Sequence, residues 1–162
     1  AYDVEFTNLF DRLTGVLNQG TYLRKIKKLK PQQTLVILDI DNFKDINDNY
    51  GHQLGDSCLC IVSQAVKSTF GNYGHCYRIG GDEFAVILRK ENKVQSLITR
   101  FERNFADKTK ELSYQVNVSI GYAKYEINDS VESVVQCADL NMYNNKKAKK
   151  ALKATLETTV KK

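Results

Sequence analysis

The sequence has no hydrophobic run long enough to span a membrane, and its opening residues, AYDVEFTNLF, lack the basic-then-apolar layout of a signal peptide. Those absences lead to the expectation of a cytoplasmic domain, or of the cytosolic part of a membrane-anchored protein. The same opening residues read as the middle of something longer. There is no internal repeat and no low-complexity linker in the 162 residues, so one domain with a single substantial core is expected. The four cysteines, Cys58, Cys60, Cys76 and Cys137, have no zinc-like spacing and mostly sit among apolar neighbours. Buried, reduced thiols fit them better than a disulfide framework. The net charge of +5 is concentrated in two clusters, Arg24 to Lys30 and Lys146 to Lys153. No interleaved aromatic pattern accompanies them, so nucleic acid is not the expected partner. The first cluster reads as a solvated helix face and the second as a basic tail able to serve an anionic ligand.

What is present is a clear order of elements. TLVILDI (34–40) is a short unbroken apolar run, the mark of a central strand buried on both faces. Cys58, Leu59, Ile61, Val62, Ala65, Val66 and Phe70 then recur at helical spacing. HCYRI (75–79) and FAVIL (84–88) read as strands, and Val94, Leu97, Ile98, Phe101 and Phe105 as an amphipathic helix. YQVNVSIGY (114–122) alternates as a strand should, and residues 131–142 carry the last clear helical pattern. Two further helical patterns precede these, around 2–12 and 18–29. The order β-α-β-β-α-β is the split arrangement of ferredoxin-like sheets. An α/β (α+β) fold follows, with a palm-type central sheet, antiparallel or mixed, flanked by helices.

That topology has a chemical consequence. The first and third strands become central, adjacent and antiparallel. The end of strand 34–40 then lies beside the start of strand 84–88, which brings Asp39 and Asp41 to Asp82 and Glu83. Several carboxylates at one sheet end repel one another unless a cation sits among them, and a hard divalent ion is the natural occupant. Gly80 and Gly81, just before the acids, let a backbone approach a bulky ligand. The stretch from Asp45 to Asp56 has calcium-loop features, but its glycine falls seventh, its last acid is Asp, and a strand precedes it. Ligand recognition suits it better: Asn47 and Asp56 offer the donor and acceptor set that guanine needs.

DRLTGVLNQGTY, LDIDNFKDINDNYGHQLGD, RIGGDEF, VSIGYA and ADLNMYNNKK, in this order and spacing, resemble the GGDEF domain of bacterial diguanylate cyclases, from about Asp11 to Lys150. The resemblance implies a nucleotidyl-cyclase-like palm fold and the Mg2+-dependent joining of two GTP molecules into cyclic di-GMP, with Mn2+ as a substitute ion. It implies Asp39, the Ile40 carbonyl and Asp82 as metal ligands, and Asp82, Glu83 and Lys44 as the catalytic groups. It implies that Asn47 and Asp56 read guanine, with His52 lining the same stretch, and that Phe43, Lys44 and Lys146 hold phosphates. Lys150 stands where the family usually has arginine, which keeps the charge and loses the fork. Residues 1–12 would end an N-terminal linker, 13–150 form the catalytic domain and 151–162 a basic tail, either a longer helix or frayed. A homodimer, an upstream sensory or regulatory domain, and no membrane contact by this domain complete the expectation. The family's Arg-x-x-Asp product-inhibition motif is replaced by Gly71-Asn-Tyr-Gly74. The alternatives are a non-catalytic GTP-binding or interaction module, and a relative making a mixed cyclic AMP-GMP; Asp56, where those relatives have Ser, argues against the latter.

Overall fold

The computed structural model describes residues 8–90 and 93–161, the last of these by its backbone alone. Its elements are α1 (Gln19–Ile26), β1 (Thr34–Ile40), α2 (Phe43–Tyr50), α3 (His52–Phe70), β2 (Gly74–Arg78), β3 (Glu83–Leu88), α4 (Val94–Thr109), β4 (Val118–Lys124) and α5 (Val131–Lys161). The strands form one sheet in the order β2-β3-β1-β4, and every pairing is antiparallel.

All seven residues of β1 are buried, as its uninterrupted apolar run requires of a strand covered on both faces. Its side chains alternate between two cores. Val36, Leu38 and Ile40 join Val62, Val66 and Phe70 of α3 and Leu97, Phe101 and Phe105 of α4 on one face. Leu35 and Ile37 join Tyr22 and Ile26 of α1 and Val134, Ala138 and Met142 of α5 on the other. The periods read from the sequence, two for strands and 3.6 for helices, therefore converge on one sandwich of helices about a sheet.

Several boundaries differ from those the sequence suggests. The alternating run at 114–122 becomes a strand only from Val118, because β1 ends at Ile40 opposite Val118. Tyr114 and Val116 are nonetheless buried, so their alternation reports packing without a ladder. The polar stretch after β1 is two helices, α2 and the start of α3, joined at Gly51 with φ of 88°. The calcium-loop pattern is thus helix, turn and helix. Of the helical pattern around 2–12, residues 1–7 lie outside the described residues. The remainder is a turn, with Phe10 bridged to Leu17 and Asp11 N–H donating to the Val16 carbonyl. The Asp11 carboxylate accepts from both the N–H (2.9 Å) and the hydroxyl (2.7 Å) of Thr14, a local bond that competes with helix. At the far end α5 runs unbroken through residue 150 to Lys161, so the expected domain and tail share one helix. Cys58 and Cys76 are buried, Cys60 is half-buried and Cys137 exposed, all as free thiols. Burial pushes Cys58 up to about 11 and Cys76 to about 12, which keeps both protonated and inert.

Candidate active site

The antiparallel register sets Asp39 opposite Glu83, so the acids that close β1 and open β3 face each other across the sheet centre. Ile40 N–H donates to the Asp82 carbonyl at 3.1 Å, extending the pairing into the turn. Asp39 is 7% exposed, and its Oδ1 is buried with no hydrogen-bond partner among the described residues. Its Oδ2 accepts from the Lys146 ammonium. Burial raises the Asp39 pKa, with further upward pushes from Asp82 and Asp41, while Lys146 pulls the other way. Burial likewise raises Glu83, followed by repulsion from Asp39, Asp139 and Asp82. For Lys146 burial works against the charge, yet Asp39, Asp41 and Asp82 together hold its pKa above the ordinary value.

Among the described residues no three of His, Cys, Asp and Glu converge to hold a metal. A cation here would therefore rest on Asp39 and Asp82 with a backbone carbonyl. An unpartnered carboxylate oxygen, buried beside a second acid, is chemically suited to a hard divalent ion that brings waters and phosphates as its other ligands. Asp41 has a different fate. Its Oδ1 accepts from Ser119 Oγ at 2.6 Å and its Oδ2 from Lys149 Nζ at 2.7 Å, so both oxygens are spoken for.

The Gly-Gly turn is braced from beneath. Arg78 donates through Nε to the Gly80 carbonyl (3.2 Å) and through Nη2 to the Gly81 carbonyl (2.8 Å). Its Nη1 reaches both carboxylate oxygens of Asp11 at 3.3 Å. Neither Gly80 nor Gly81 has a positive φ. A Cβ on Gly81 would meet nothing within 4 Å, and one on Gly80 would lie 3.4 Å from Glu83 Oε2. Backbone strain and crowding by protein therefore give no reason for glycine at 81.

Phe43 and Lys44 open α2, whose N-cap Asn42 sits in the left-handed region (φ 54°) and makes no side-chain cap. The first-turn N–H groups and the helix dipole there favour an anion. Asn47, one turn on, packs against Gly55, where a Cβ would collide with its amide. That contact sets Asn47 beside the first turn of α3, which carries exposed His52 and Asp56. Lys146 pairs with Asp39 and also lines, with Lys150 one turn further along α5, a cleft of about 300 Å³ that includes Asp41, Asn42, Asn117 and Lys149. The expected residues thus fall at one end of the sheet, around the end of β1, the start of β3, the starts of α2 and α3, and the stretch of α5 that carries Lys146 and Lys150.

Sequence reasoning passed over Asp11, Arg78, Ser119 and Lys149. Arg78 stood within the quoted RIGGDEF, and Asp11 with Thr14 carried the spacing of a local side-chain turn. Nothing in the sequence alone pairs Lys149 with Asp41.

The sequence pattern of the family described as "Diguanylate cyclase, GGDEF domain" matches residues 8–151. Diguanylate cyclase DgcN of Escherichia coli (strain K12) is 35% identical over 153 residues, covering 86% of this chain and 37% of that protein. The probable diguanylate cyclase DgcF of the same strain is 34% identical over 152 residues, 85% of this chain and 48% of the relative. This chain therefore spans about half or less of the length of those relatives. Among solved structures, the coiled coil and GGDEF domain of DgcB from Caulobacter crescentus, in complex with c-di-GMP, superposes with a TM-score of 0.79. It shares 24% identity and covers 91% of this chain and 85% of that one, a likeness of fold.

Proposed function

Because the chain belongs to the GGDEF domain family of diguanylate cyclases, we propose that it condenses two GTP molecules into cyclic di-GMP and two pyrophosphates. Each of two facing protomers would hold one GTP, and the 3′-hydroxyl of one nucleotide would attack the α-phosphate of the other in line. The observation that carries this reading is the buried, unpartnered Asp39 Oδ1 beside Asp82, beneath a glycine turn open to a ligand.

In this reading Asp39, Asp82 and the Ile40 carbonyl hold Mg2+, with Mn2+ as a substitute. The ion would neutralise phosphate charge and polarise the phosphorus under attack. Asn47 and Asp56 orient the guanine, with His52 beside them. Phe43 and Lys44 present the α2 N-terminus to the phosphates, and Lys44 offsets charge that grows in the transition state. Lys146 exchanges its carboxylate partner for terminal phosphate oxygens, and Lys150 adds a point charge. Asp82 or Glu83 accepts the attacking hydroxyl's proton, and the raised pKa of Glu83, buried among other acids, suits an acceptor near neutral pH. The remaining gain comes from holding two nucleotides in attack geometry, which makes protomer pairing the natural control point. An upstream sensory or regulatory domain would govern that pairing, in a cytoplasmic setting.

Product feedback through the 71–74 segment is not expected. It carries neither Arg nor Asp, and a Cβ at Gly74 would run into the Ile87 and Leu88 backbone. Micromolar inhibition by cyclic di-GMP that vanishes on altering residues 71–74 would refute this. For base choice, Asp56→Ser should relax selection for GTP over ATP; continued exclusion of ATP would remove Asp56 from the guanine site.

The deciding experiment incubates the protein with GTP and Mg2+ over a range of protein concentrations and identifies products by chromatography with mass detection. Cyclic di-GMP whose yield per protein rises with concentration supports a two-protomer cyclase. GTP binding without product, even when a fused leucine zipper enforces pairing, favours a nucleotide-binding module; the Lys146–Asp39 ion pair, which already satisfies part of the acid site, is the observation that keeps that reading in view.

A further inference from the structure

Helix α5 is fastened to the sheet by side chains at a regular interval. Asn141 Nδ2 donates to the Tyr122 carbonyl at 2.9 Å, Asn145 Oδ1 accepts from Ile120 N–H at 2.9 Å, and Lys149 Nζ donates to the Val118 carbonyl at 2.7 Å. The helix residues are spaced by four and their partners by two, in opposite directions. Four helical residues advance about 6 Å, and two strand residues about 6.6 Å, so the two repeats stay in step over this length. Strand β4 is the sheet edge beyond β1, and residues 118, 120 and 122 turn these backbone groups away from β1. The ladder thus occupies hydrogen-bonding positions that a fifth strand would use, and it protects an otherwise open edge. Gly121 permits the approach, since a Cβ there would strike the α5 backbone at Ala138 and Met142.

Lys149 is the rung that touches the site. Besides Val118 it holds Asp41 Oδ2 at 2.7 Å, and Asp41 Oδ1 is held by Ser119. One ammonium therefore joins α5, the start of β4 and the end of β1. Lys146 stands three residues earlier on α5, and it alone of the two contacts Asp39. Sliding or rotating α5 against β4 would carry Lys146 off the acid site.

We infer that Asn141, Asn145 and Lys149 set the register of α5 on the sheet edge, and that Lys149, through Asp41, is a positioning residue for Lys146. The kinetic consequence rests on the cyclase reading above; the ladder itself does not. A displaced Lys146 would weaken the grip on the terminal phosphates and leave the chemical groups on β1 and β3 in place. The defect should therefore appear mainly in KM.

The test uses the full chain at concentrations where the unaltered protein turns over GTP, comparing Lys149→Met, Lys149→Arg and Asn145→Ala. Lys149→Met should raise KM for GTP about tenfold with kcat within about threefold, the signature of lost ground-state binding. Lys149→Arg should recover most of that loss, because it restores a cation to Asp41. Amide hydrogen exchange at Ile120 should quicken in Asn145→Ala. An unchanged KM in Lys149→Met, a fall confined to kcat, or no rescue by arginine would overturn the positioning role while leaving the cyclase reading intact. If the unaltered protein makes no cyclic di-GMP, the cyclase reading fails. The ladder is then judged by exchange alone: undiminished Ile120 protection in Asn145→Ala overturns it, and faster exchange upholds it.

Discussion

Asp39 and Asp41 stand two residues apart at the end of one strand, and the fold treats them in opposite ways. Asp41 gives both oxygens to protein donors, one to Ser119 and one to Lys149. Asp39 keeps one buried oxygen without a hydrogen-bond partner among the described residues and has a raised pKa. A third acid, Asp11, lies on the other flank and is fully engaged by Thr14 and Arg78. Identical side chains have thus been divided into structural acids, whose charge the protein has answered, and an acid whose charge it has left partly unanswered. On the proposed reading the unanswered one is where the divalent ion would bind, because burying an unpaired carboxylate oxygen has a cost that packing does not return.

The largest effect should come from the unanswered side. Asp39→Asn and Asp82→Ala should each reduce cyclic di-GMP formation by about a thousandfold or more, as expected where a group opposing transition-state charge is lost. Their thermal stability should stay within about 0.5 kcal/mol of the unaltered protein, since neither change opens a cavity. A marked loss of stability in Asp39→Asn, measured by denaturant titration, would show that Asp39 is structural after all.

An intermediate effect belongs to the answered side. Asp41→Ala removes the partner of a part-buried ammonium and of Ser119, so it should destabilise the protein by about 1.5–3 kcal/mol, the range for charged hydrogen bonds. Turnover should fall far less than in Asp39→Asn. Should the two variants exchange roles, with Asp41→Ala inactive and stable, the division drawn here would be reversed.

The sequence made the sheet and its acid end legible, and the reasons are physical. A strand buried on both faces advertises itself as an unbroken apolar run, and split βαβ connectivity then brings Asp39 to Glu83 without further information. Arg78, Lys149 and Ser119 were hidden because their partners are 67, 108 and 78 residues away in sequence, for Asp11, Asp41 and Asp41 respectively. No local period records such pairs. Helix α2 and the start of α3 were missed for another cause: Ile46 is the sole buried residue of α2, so that helix has almost no apolar stripe to read. The start of the 114–122 strand was misplaced because buried alternation also arises where side chains pack without a neighbouring ladder.

The smallest effect tests Asp11, the acid whose shift opposes that of Asp39. Burial pushes its pKa upward, but bonds from the Thr14 hydroxyl and N–H, and then Arg78, outweigh it and leave the pKa below 3.8. A folded pKa below the unfolded value means the contribution is complete above 3.8 and disappears as pH falls through the lowered folded value. Asp11→Asn should therefore flatten the acid limb of the stability curve below that pH and change little at its foot. At neutral pH it should cost about 1 kcal/mol, the usual worth of a partly exposed, hydrogen-bonded ion pair. Arg78 would still hold the Gly80 and Gly81 carbonyls, so turnover should fall only a few-fold, by less than in Asp41→Ala. An acid limb identical in the two proteins, followed by circular dichroism, would mean that the Asp11–Arg78 pair holds the glycine turn by geometry alone and that its charge contributes nothing to the fold.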